Sequence, residues 1–396
     1  MKLSKCIFKT QKNISNLDKA TDRLIRGGFI QKECSGIFRF TNFGVRILNN
    51  IKLIITEELN KIDCFEVALP ILQDSSIWAK SGRIEAYGPE KFSLQDRKKS
   101  TMFLAPTAEE SATELINNQI TSYKQLPINV FQILEKYRDE MRPRFGLIRS
   151  RQFTMKDAYS FDKNEKEALE TYVKYYNCYL KIFKRLNIDI YPVQSDAGQI
   201  GGALTHEFVA INTSIGEGDL FYDELINSEV KNIEDIKLQC SFENKNYSKS
   251  IKCIELGQIY FLGDKYSTSM KALYNNELGI KTPFSMGCYG IGVTRTLSYL
   301  AEQFPYYPLN VTPFKYHIIG VDINKSNELY DLINDNKNIL YDDRDIGFGT
   351  KKHDAELIGI PYQIIIGEKI EFINFLENKI TEFKTINDLA IYTKTL

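Results

Sequence analysis

The chain has 396 residues, 43% hydrophobic and 26% charged, and its 51 Lys+Arg balance its 51 Asp+Glu. That length exceeds one comfortable core, so two domains are expected, and zero net charge argues neither for nor against a nucleic-acid partner. No apolar run approaches the roughly 18–20 residues of a membrane span. The opening MKLSKCIFKTQKNISNLDKA lacks a secretory apolar core and reads as mature protein. The seven cysteines form no CxxC pair. This disfavours a metal or disulfide framework and favours the reduced thiols of a cytoplasmic protein.

In chain order, Thr41 reads as the cap of a helix whose apolar positions are Val45, Leu48, Ile55, Leu59 and Ile62. FLAPTAEESATELI, 103–116, reads as a helix start with Thr107 and Glu110 as a capping box, which leaves Glu109 unexplained. INVFQILEKY and IDIYPVQS are strand-like, and 163–187 fits a long helix carrying Leu169, Val173, Tyr176, Leu180, Phe183 and Leu186 on one stripe. FPYYPLNVTPF, 304–314, holds three prolines and reads as a linker. Beyond it KYHIIGVDI, a helix over 325–336, NILYDDR, a helix over 351–358 and PYQIIIG alternate as in a small α/β domain with a mainly parallel sheet. The first 305 residues lack that rhythm and look like α+β on an antiparallel sheet.

Charge is unevenly spread. Residues 136–156 hold Lys136, Arg138, Arg142, Arg144, Arg149, Arg151 and Lys156 against Asp139 and Glu140. Arginine's planar fork suits phosphate and carboxylate geometry, which lysine's point charge does not. As two strands joined by MRPRFG, the stretch places Arg138 and Glu140 on one face of the first strand. Arg149, Arg151, Phe153 and Met155 share a face of the second. Such a face suits a nucleoside polyphosphate, and a salt-bridged hairpin is the bland alternative. FSMGCYGIGVTRTLSYLAEQ, 284–303, puts Gly287, Gly290 and Gly292 before a helix carrying Arg295. Neither dinucleotide nor Walker spacing is matched, and the glycines could equally serve close helix–sheet packing.

Together these blocks resemble a class II aminoacyl-tRNA synthetase, and in detail the bacterial-type prolyl-tRNA synthetase family. YRDEMRPRFGLIRSRQFTMKDAYSF (137–161) looks like motif 2. The region near 66–90, with Pro70, is similar to motif 1 and the segment after it, and 284–303 to motif 3. APTAEE resembles the loop that recognises the amino acid. DAGQIGGALTHEF and DDRDIGFGTKKHDAELIGIPYQIIIG match two further family stretches. The resemblance implies an α+β catalytic domain with an antiparallel sheet over 1–304, a linker at 305–313 and an anticodon-binding-like α/β domain over 314–396.

It further implies activation of L-proline by ATP and transfer of the prolyl group to tRNA(Pro), with catalysis resting on positioning and charge stabilisation. Arg138 is implied at the α-phosphate and the substrate carboxylate, Arg149 beside the polyphosphate, Phe153 under adenine and Arg295 at the γ-phosphate. Glu140 is implied at adenine or in a magnesium network. Thr107 and Glu109 would grip proline's secondary amine, and His206 would lie beside its ring. Mg2+ is expected to bridge ATP phosphates rather than sit in an all-protein cage, and motif 1 implies a twofold homodimer. His317 and His353 are read as structural.

Several departures stand out. Gln152 replaces the family's usual Glu, and Ala108 a commoner polar residue. Residues 311–396 carry 10 Lys+Arg against 14 Asp+Glu, a net of −4. That is unhelpful for a tRNA-facing domain and leaves a patch at Arg344, Lys351 and Lys352 as the expected RNA contact. About 80 residues separate His206 from Gly287, too few for the editing domain many bacterial relatives insert. Clearance of Ala-tRNA(Pro) is therefore expected from a trans-editing factor, if anywhere. A threonyl-, seryl- or glycyl-specific enzyme is disfavoured by Thr107, Glu109 and His206. A non-catalytic paralogue is disfavoured by the intact ATP-contact set. A metal hydrolase built on THEF lacks a second histidine at ligand spacing.

Overall fold

The structure, a computed structural model, describes residues 1–11, 17–196, 198, 200–212, 214–236, 240–243, 247–333, 335 and 337–396. Ala197 and Gln199 of the DAGQIGG stretch, and residues 334 and 336 of the expected helix 325–336, lie outside it. The chain folds as two compact units. One comprises Lys52–Arg144 and Arg149–Thr296, and the other Met1–Ile51, Phe145–Ile148 and Leu297–Leu396. This partition differs from a cut at residue 304, because the first fifty residues pack with the C-terminal α/β elements.

The larger unit is built mainly on one nine-stranded sheet. Its strands are β1 (Cys64–Glu66), β2 (Ile128–Tyr137), β3 (Gln152–Asp162), β4 (Ile190–Gln194), β5 (Leu204–Ile211), β6 (Gly218–Tyr222), β7 (Cys240–Ser241), β8 (Lys249–Gly263) and β9 (Ser285–Gly292). The order is β7-β6-β8-β9-β3-β2-β1, with β5 pairing β8 and β4. All pairings are antiparallel except β1 with β2. The expected antiparallel α+β architecture is thus present.

Register decides what each face presents, because side chains alternate along a strand. Thr205, Tyr260, Cys288, Tyr159 and Val130 lie side by side in one row across β5, β8, β9, β3 and β2. Glu207, Gln258, Gly290, Asp157 and Gln132 form a second row two residues along, on the same face. The intervening row of His206, Ile259, Tyr289, Ala158 and Phe131 points the other way.

Each face has its own cover. Helix Glu165–Arg185, capped by the Asn164 side chain on Glu167 N, lays Tyr172, Tyr175, Tyr176 and Tyr179 on the His206 face. Tyr175 stacks on Tyr289 with ring centroids 3.5 Å apart. Gly257 leaves room for the Tyr179 ring, which a Cβ there would meet at 3.1 Å. The expected stripe of this helix holds at Val173, Tyr176, Leu180, Phe183 and Leu186, all buried. Helix Glu109–Gln119 covers the opposite face, where Ala108, Ala112 and Ile116 join Val130, Tyr159, Tyr260 and Cys288 in one core.

In the smaller unit, β10 (Tyr316–Gly320), β11 (Ile339–Asp342) and β12 (Tyr362–Ile366) are parallel in the order β11-β10-β12. An antiparallel hairpin, β13 (Ile370–Asn374) and β14 (Lys379–Phe383), extends them on the β12 side. The alternating rhythm of the sequence gives no hint of that hairpin. The Met1 ammonium donates to Ile339 O at 2.7 Å, and Tyr341 N to Met1 O at 2.9 Å, so the start of the chain is laced to β11. Arg23 donates to the carbonyls of Ala301, Phe304 and Pro305. Its guanidinium lies 4.6 Å from the centre of the buried Tyr307 ring. The 304–314 stretch is therefore packed rather than a free linker: Tyr307, Val311 and Phe314 are buried.

Thr41 caps its helix as expected, its hydroxyl accepting from Phe43 N at 3.2 Å. Val45, however, is 44% exposed, and Ile62 lies past the end of the helix at Asn60.

Candidate active site on the sheet face under helix Glu109–Gln119

The 105–109 loop is fixed to the sheet before any ligand is considered. Tyr159 OH, itself donating to Asp157 Oδ2 at 2.8 Å, accepts from Ala108 N at 2.9 Å. Asp157 also receives Gln132 Nε2 at 2.8 Å and pairs with Lys136 at 2.8 Å, all buried. Satisfied buried networks of this kind hold a loop to one geometry. The expected capping box is absent. Helix Glu109–Gln119 has Ala108 at its N-cap with no side-chain cap bond. The Thr107 hydroxyl instead donates to the Glu109 carboxylate at 2.7 Å.

Glu109 is wholly buried. It accepts from Arg83 Nη1 at 3.0 Å and from the Cys288 thiol at 3.3 Å. Burial pushes its carboxyl up, but the Arg83 guanidinium and the hydrogen bonds from Thr107, the backbone and Arg83 together hold it below the ordinary range. Glu110, sharing Arg83 at 3.0 Å and taking the Ser81 hydroxyl at 2.7 Å, is pushed up by burial and by its charged neighbour. Arg83 was not singled out in the sequence. Its only signal there was an arginine between Trp78 and Tyr87, whose rings it meets at 5.2 and 5.4 Å.

Arg138 follows the last residue of β2, and Arg138 N donates to Arg151 O at 2.9 Å. Its Nη2 reaches Pro106 O at 3.5 Å, and its guanidinium lies 5.3 Å from the centre of the Phe153 ring. The arginine thus stands between the 105–109 loop and Phe153, and Arg138 Nε is hydrogen-bonded to nothing among the described residues. The two strands end at Tyr137 and Gln152, so the alternation inferred for Arg138, Glu140, Arg149 and Arg151 does not apply to them. Glu140 and Arg149 meet through the loop: Arg149 Nε donates to Glu140 Oε2 at 2.8 Å, and Arg142 N to Oε1 at 3.2 Å. Arg149 is 40% exposed. Gln152 Nε2 donates to Glu135 at 3.4 Å, a bond that an ionised Glu at that position could not donate.

Arg295 lies in the first turn of helix Val293–Gln303 and donates to Glu255 O at 2.9 Å and Glu255 Oε2 at 3.2 Å. Glu217 pairs with it at 3.6 Å. A β-bulge explains why Glu255 faces this way: Phe208 pairs Gly257 and Val209 pairs Glu255, so Leu256 is an extra residue that reverses the alternation. Glu207, on the same face, has its carboxyl pushed up to about 7, first by burial and then by Glu255.

His206 is not at this site. It points into the opposite face, where Nδ1 meets Tyr172 OH at 2.6 Å and the Tyr176 ring packs edge-on. Burial alone lowers it to about 4, so it is neutral. Its neighbour Glu207 occupies the face that His206 was expected to serve. The basic patch expected in the smaller unit also fails. Lys351 is buried, with Nζ donating to Gly320 O at 3.1 Å and Asp342 O at 3.2 Å. Arg344 is spent on Asp342 at 2.6 Å and Asp354 at 2.9 Å. Lys352 is exposed.

Among the described residues no group of three His, Cys, Asp or Glu side chains is placed to hold a metal ion. Both Glu140 oxygens are already engaged. Glu255 and Glu217 are hard oxygen donors of the kind that suit a magnesium ion carried mostly by water and phosphate. No helix among the described residues is long and apolar enough to cross a membrane.

A family described as "tRNA synthetase class II core domain (G, H, P, S and T)" matches residues 92–304, and "Anticodon binding domain" matches 316–374. Those matches and the sheet define a class II aminoacyl-tRNA synthetase. The chain is 38% identical over 399 residues to "Proline--tRNA ligase" of Rickettsia bellii (strain OSU 85-389), covering 94% of this chain and 92% of the relative. It is 39% identical to the protein of that name from Ehrlichia ruminantium (strain Gardel), covering 93% and 92%. By these relatives the chain belongs to the prolyl-tRNA synthetase family. The Cryptosporidium parvum prolyl-tRNA synthetase, solved with halofuginone and AMPPNP, has the same fold. It superposes at a TM-score of 0.75 and 16% identity, covering 98% of this chain and 78% of that one.

Proposed function

We propose that the face under helix Glu109–Gln119 activates proline with ATP, with a fixed amine site at one end and a line of arginines at the other. The observation that carries this reading is the ionised, wholly buried Glu109 set beside the loop that Arg138 touches. Proline offers a secondary ammonium to Glu109. The Thr107 hydroxyl spends its proton on that carboxylate and so keeps lone pairs for the same cation. Arg138 takes the proline carboxylate and the α-phosphate, drawing the two reacting groups together.

A carboxylate oxygen attacks the α-phosphorus, and the bond to the β-phosphate oxygen breaks. Prolyl-adenylate and pyrophosphate result. Phe153 carries adenine on its ring, while Arg149 and Arg295 balance charge along the leaving pyrophosphate. Magnesium, when bound with ATP, neutralises phosphate charge, and Glu255 and Glu217 would hold it. The terminal ribose hydroxyl of tRNA(Pro) then takes the prolyl group and releases AMP.

Further elements of the reading concern the assembly. Leu53, Phe65 and Leu72, exposed by 56%, 61% and 48%, support a twofold homodimer through the 66–90 region and its neighbours. Lys352 is the one residue of the expected patch retained for tRNA. The short span from His206 to Gly287 contains β5 to β8, the start of β9 and their connections, which supports hydrolysis of Ala-tRNA(Pro) by a separate factor. A proline pocket excludes the smaller alanine by only about 1–3 kcal/mol, so such a factor has work to do. Seven free cysteines suit a cytoplasmic location.

ATP–pyrophosphate exchange on purified protein, with each amino acid in turn, tests the reading. Exchange with proline, lost in Arg138→Ala, is expected. A folded protein with no exchange for any amino acid would favour the non-catalytic paralogue.

A further inference from the structure

Glu109 poses a problem that the reaction alone does not solve. A carboxyl removed wholly from water ordinarily gives up its charge, and a neutral acid cannot hold an ammonium ion. We infer that Arg83 is a positioning residue for amine recognition, holding Glu109 as a fixed anion, with Glu110 as the second carboxylate that anchors the guanidinium. This rests on the reading of Glu109 as the acceptor of the proline ammonium.

The geometry is that of a clamp. Arg83 Nη1 donates to Glu109 Oε2 at 3.0 Å and to Glu110 Oε1 at 3.0 Å, so one nitrogen bridges both acids. Aromatic rings of Trp78, Tyr87 and Tyr266 lie 5.2, 5.4 and 5.2 Å from the guanidinium carbon. They stand where water would otherwise be, and their faces attract the cation. Trp78 is itself fixed, with Nε1 donating to Gln73 Oε1 at 2.8 Å, and Gln73 Nε2 donates to the Ser111 hydroxyl at 3.0 Å. The guanidinium therefore has little freedom, and neither does the carboxylate it holds.

Stability alone does not account for this cluster. Arg83 Nε and Nη2 are buried and hydrogen-bonded to nothing among the described residues, a cost that a stabilising pair would avoid. Buried ion pairs are also weak stabilisers compared with apolar packing of the same volume. Local rules broken at a cost mark functional positions. The charge count points the same way. One guanidinium faces two carboxyls that differ in direction: burial, with Glu109 beside it, raises that of Glu110, while that of Glu109 is lowered against its own burial by Arg83 and the Thr107 hydroxyl. Glu109 thus keeps its charge for the incoming ammonium.

The test is steady-state exchange for wild type, Arg83→Gln, Arg83→Lys and Glu109→Gln between pH 6 and 9, with KM measured separately for proline and ATP, alongside thermal melting. In Arg83→Gln the proline KM rises by roughly 30-fold or more at pH 7 and falls again as pH rises. The sign comes from burial: without the guanidinium, burial raises the Glu109 carboxyl, which must ionise before it binds the cation. Arg83→Lys, which keeps a charge but not the fork, gives a smaller rise, and the ATP KM stays within about twofold in both. Wild type shows no such proline-specific slope.

An Arg83→Lys or Arg83→Gln protein that folds, with wild-type proline KM and a flat pH profile, overturns the inference. So does a variant that raises both KM values alike. Should Arg83→Gln fail to fold, Arg83→Lys decides by the same two readouts. An unchanged proline KM in Glu109→Gln would instead defeat the amine-site reading itself.

Discussion

The two ends of the site are built on opposite principles. At the amino-acid end every charge is buried and already paired: Arg83, Glu109 and Glu110 are at most 2% exposed, and Lys136–Asp157 is equally enclosed. At the nucleotide end the arginines are partly open to solvent, Arg149 on Glu140 at 40% exposed and Arg295 on Glu255 and Glu217 at 24%. Buried pairs are fixed, because separating one leaves an uncompensated charge that costs about 3–5 kcal/mol. Exposed pairs are worth about 0–1 kcal/mol and can be exchanged for a better partner. In the proposed reading a small cation such as proline's ammonium meets a preformed anion, and a polyphosphate meets arginines that trade a carboxylate for it.

The comparison predicts where each substitution acts. The largest effect falls on the residue between the two ends: Arg138→Ala lowers exchange by roughly 10²–10³-fold, read as kcat/KM for both substrates. Arg295→Ala is comparable in kcat but leaves the proline KM near wild type. Next, Glu109→Gln raises the proline KM by at least about tenfold with ATP untouched. Arg149→Ala raises the ATP KM by roughly tenfold, more at low than at high ionic strength, because exposed charges are screened by salt.

A pH effect is smaller. Glu207, with its carboxyl near 7, ionises between about pH 6 and 8 and adds a negative charge beside Glu255 and Arg295. The ATP KM therefore rises with pH over that window, and Glu207→Gln flattens it. A flat wild-type profile would sever Glu207 from the nucleotide end. The smallest effect on catalysis is at His206. His206→Leu leaves Tyr172 OH without its 2.6 Å partner and lowers stability by about 1–3 kcal/mol, seen in the melting temperature, while both KM values stay within about twofold.

Local signals carried much of the fold. Helix Glu165–Arg185 announced itself by its apolar period, and the three parallel strands after residue 315 were legible in the α/β rhythm, though the hairpin beyond them was not. Thr107, Glu109 and Arg138, expected at the site, do converge on one loop. What failed depended on phase and partners. THEF shows an alternation but not which face receives the long helix, and the tyrosines of that helix claim His206 for the other side. The bulge at Leu256 that turns Glu255 toward Arg295 leaves no mark in the local sequence. Lys351 and Arg344 looked like a basic patch because a charge count cannot see Asp342 and Asp354 beneath them. Arg83 stayed hidden because its partners lie 26 and 27 residues away.

The most direct test is a crystal structure of the protein with proline and a non-hydrolysable ATP analogue. The account predicts that Arg83 stays on Glu109 at its present 3.0 Å while Arg149 leaves Glu140 and Arg295 leaves Glu255 for phosphate oxygens. Arg149 and Arg295 still on their carboxylates with the analogue bound, or an Arg83–Glu109 pair opened by proline, would contradict it.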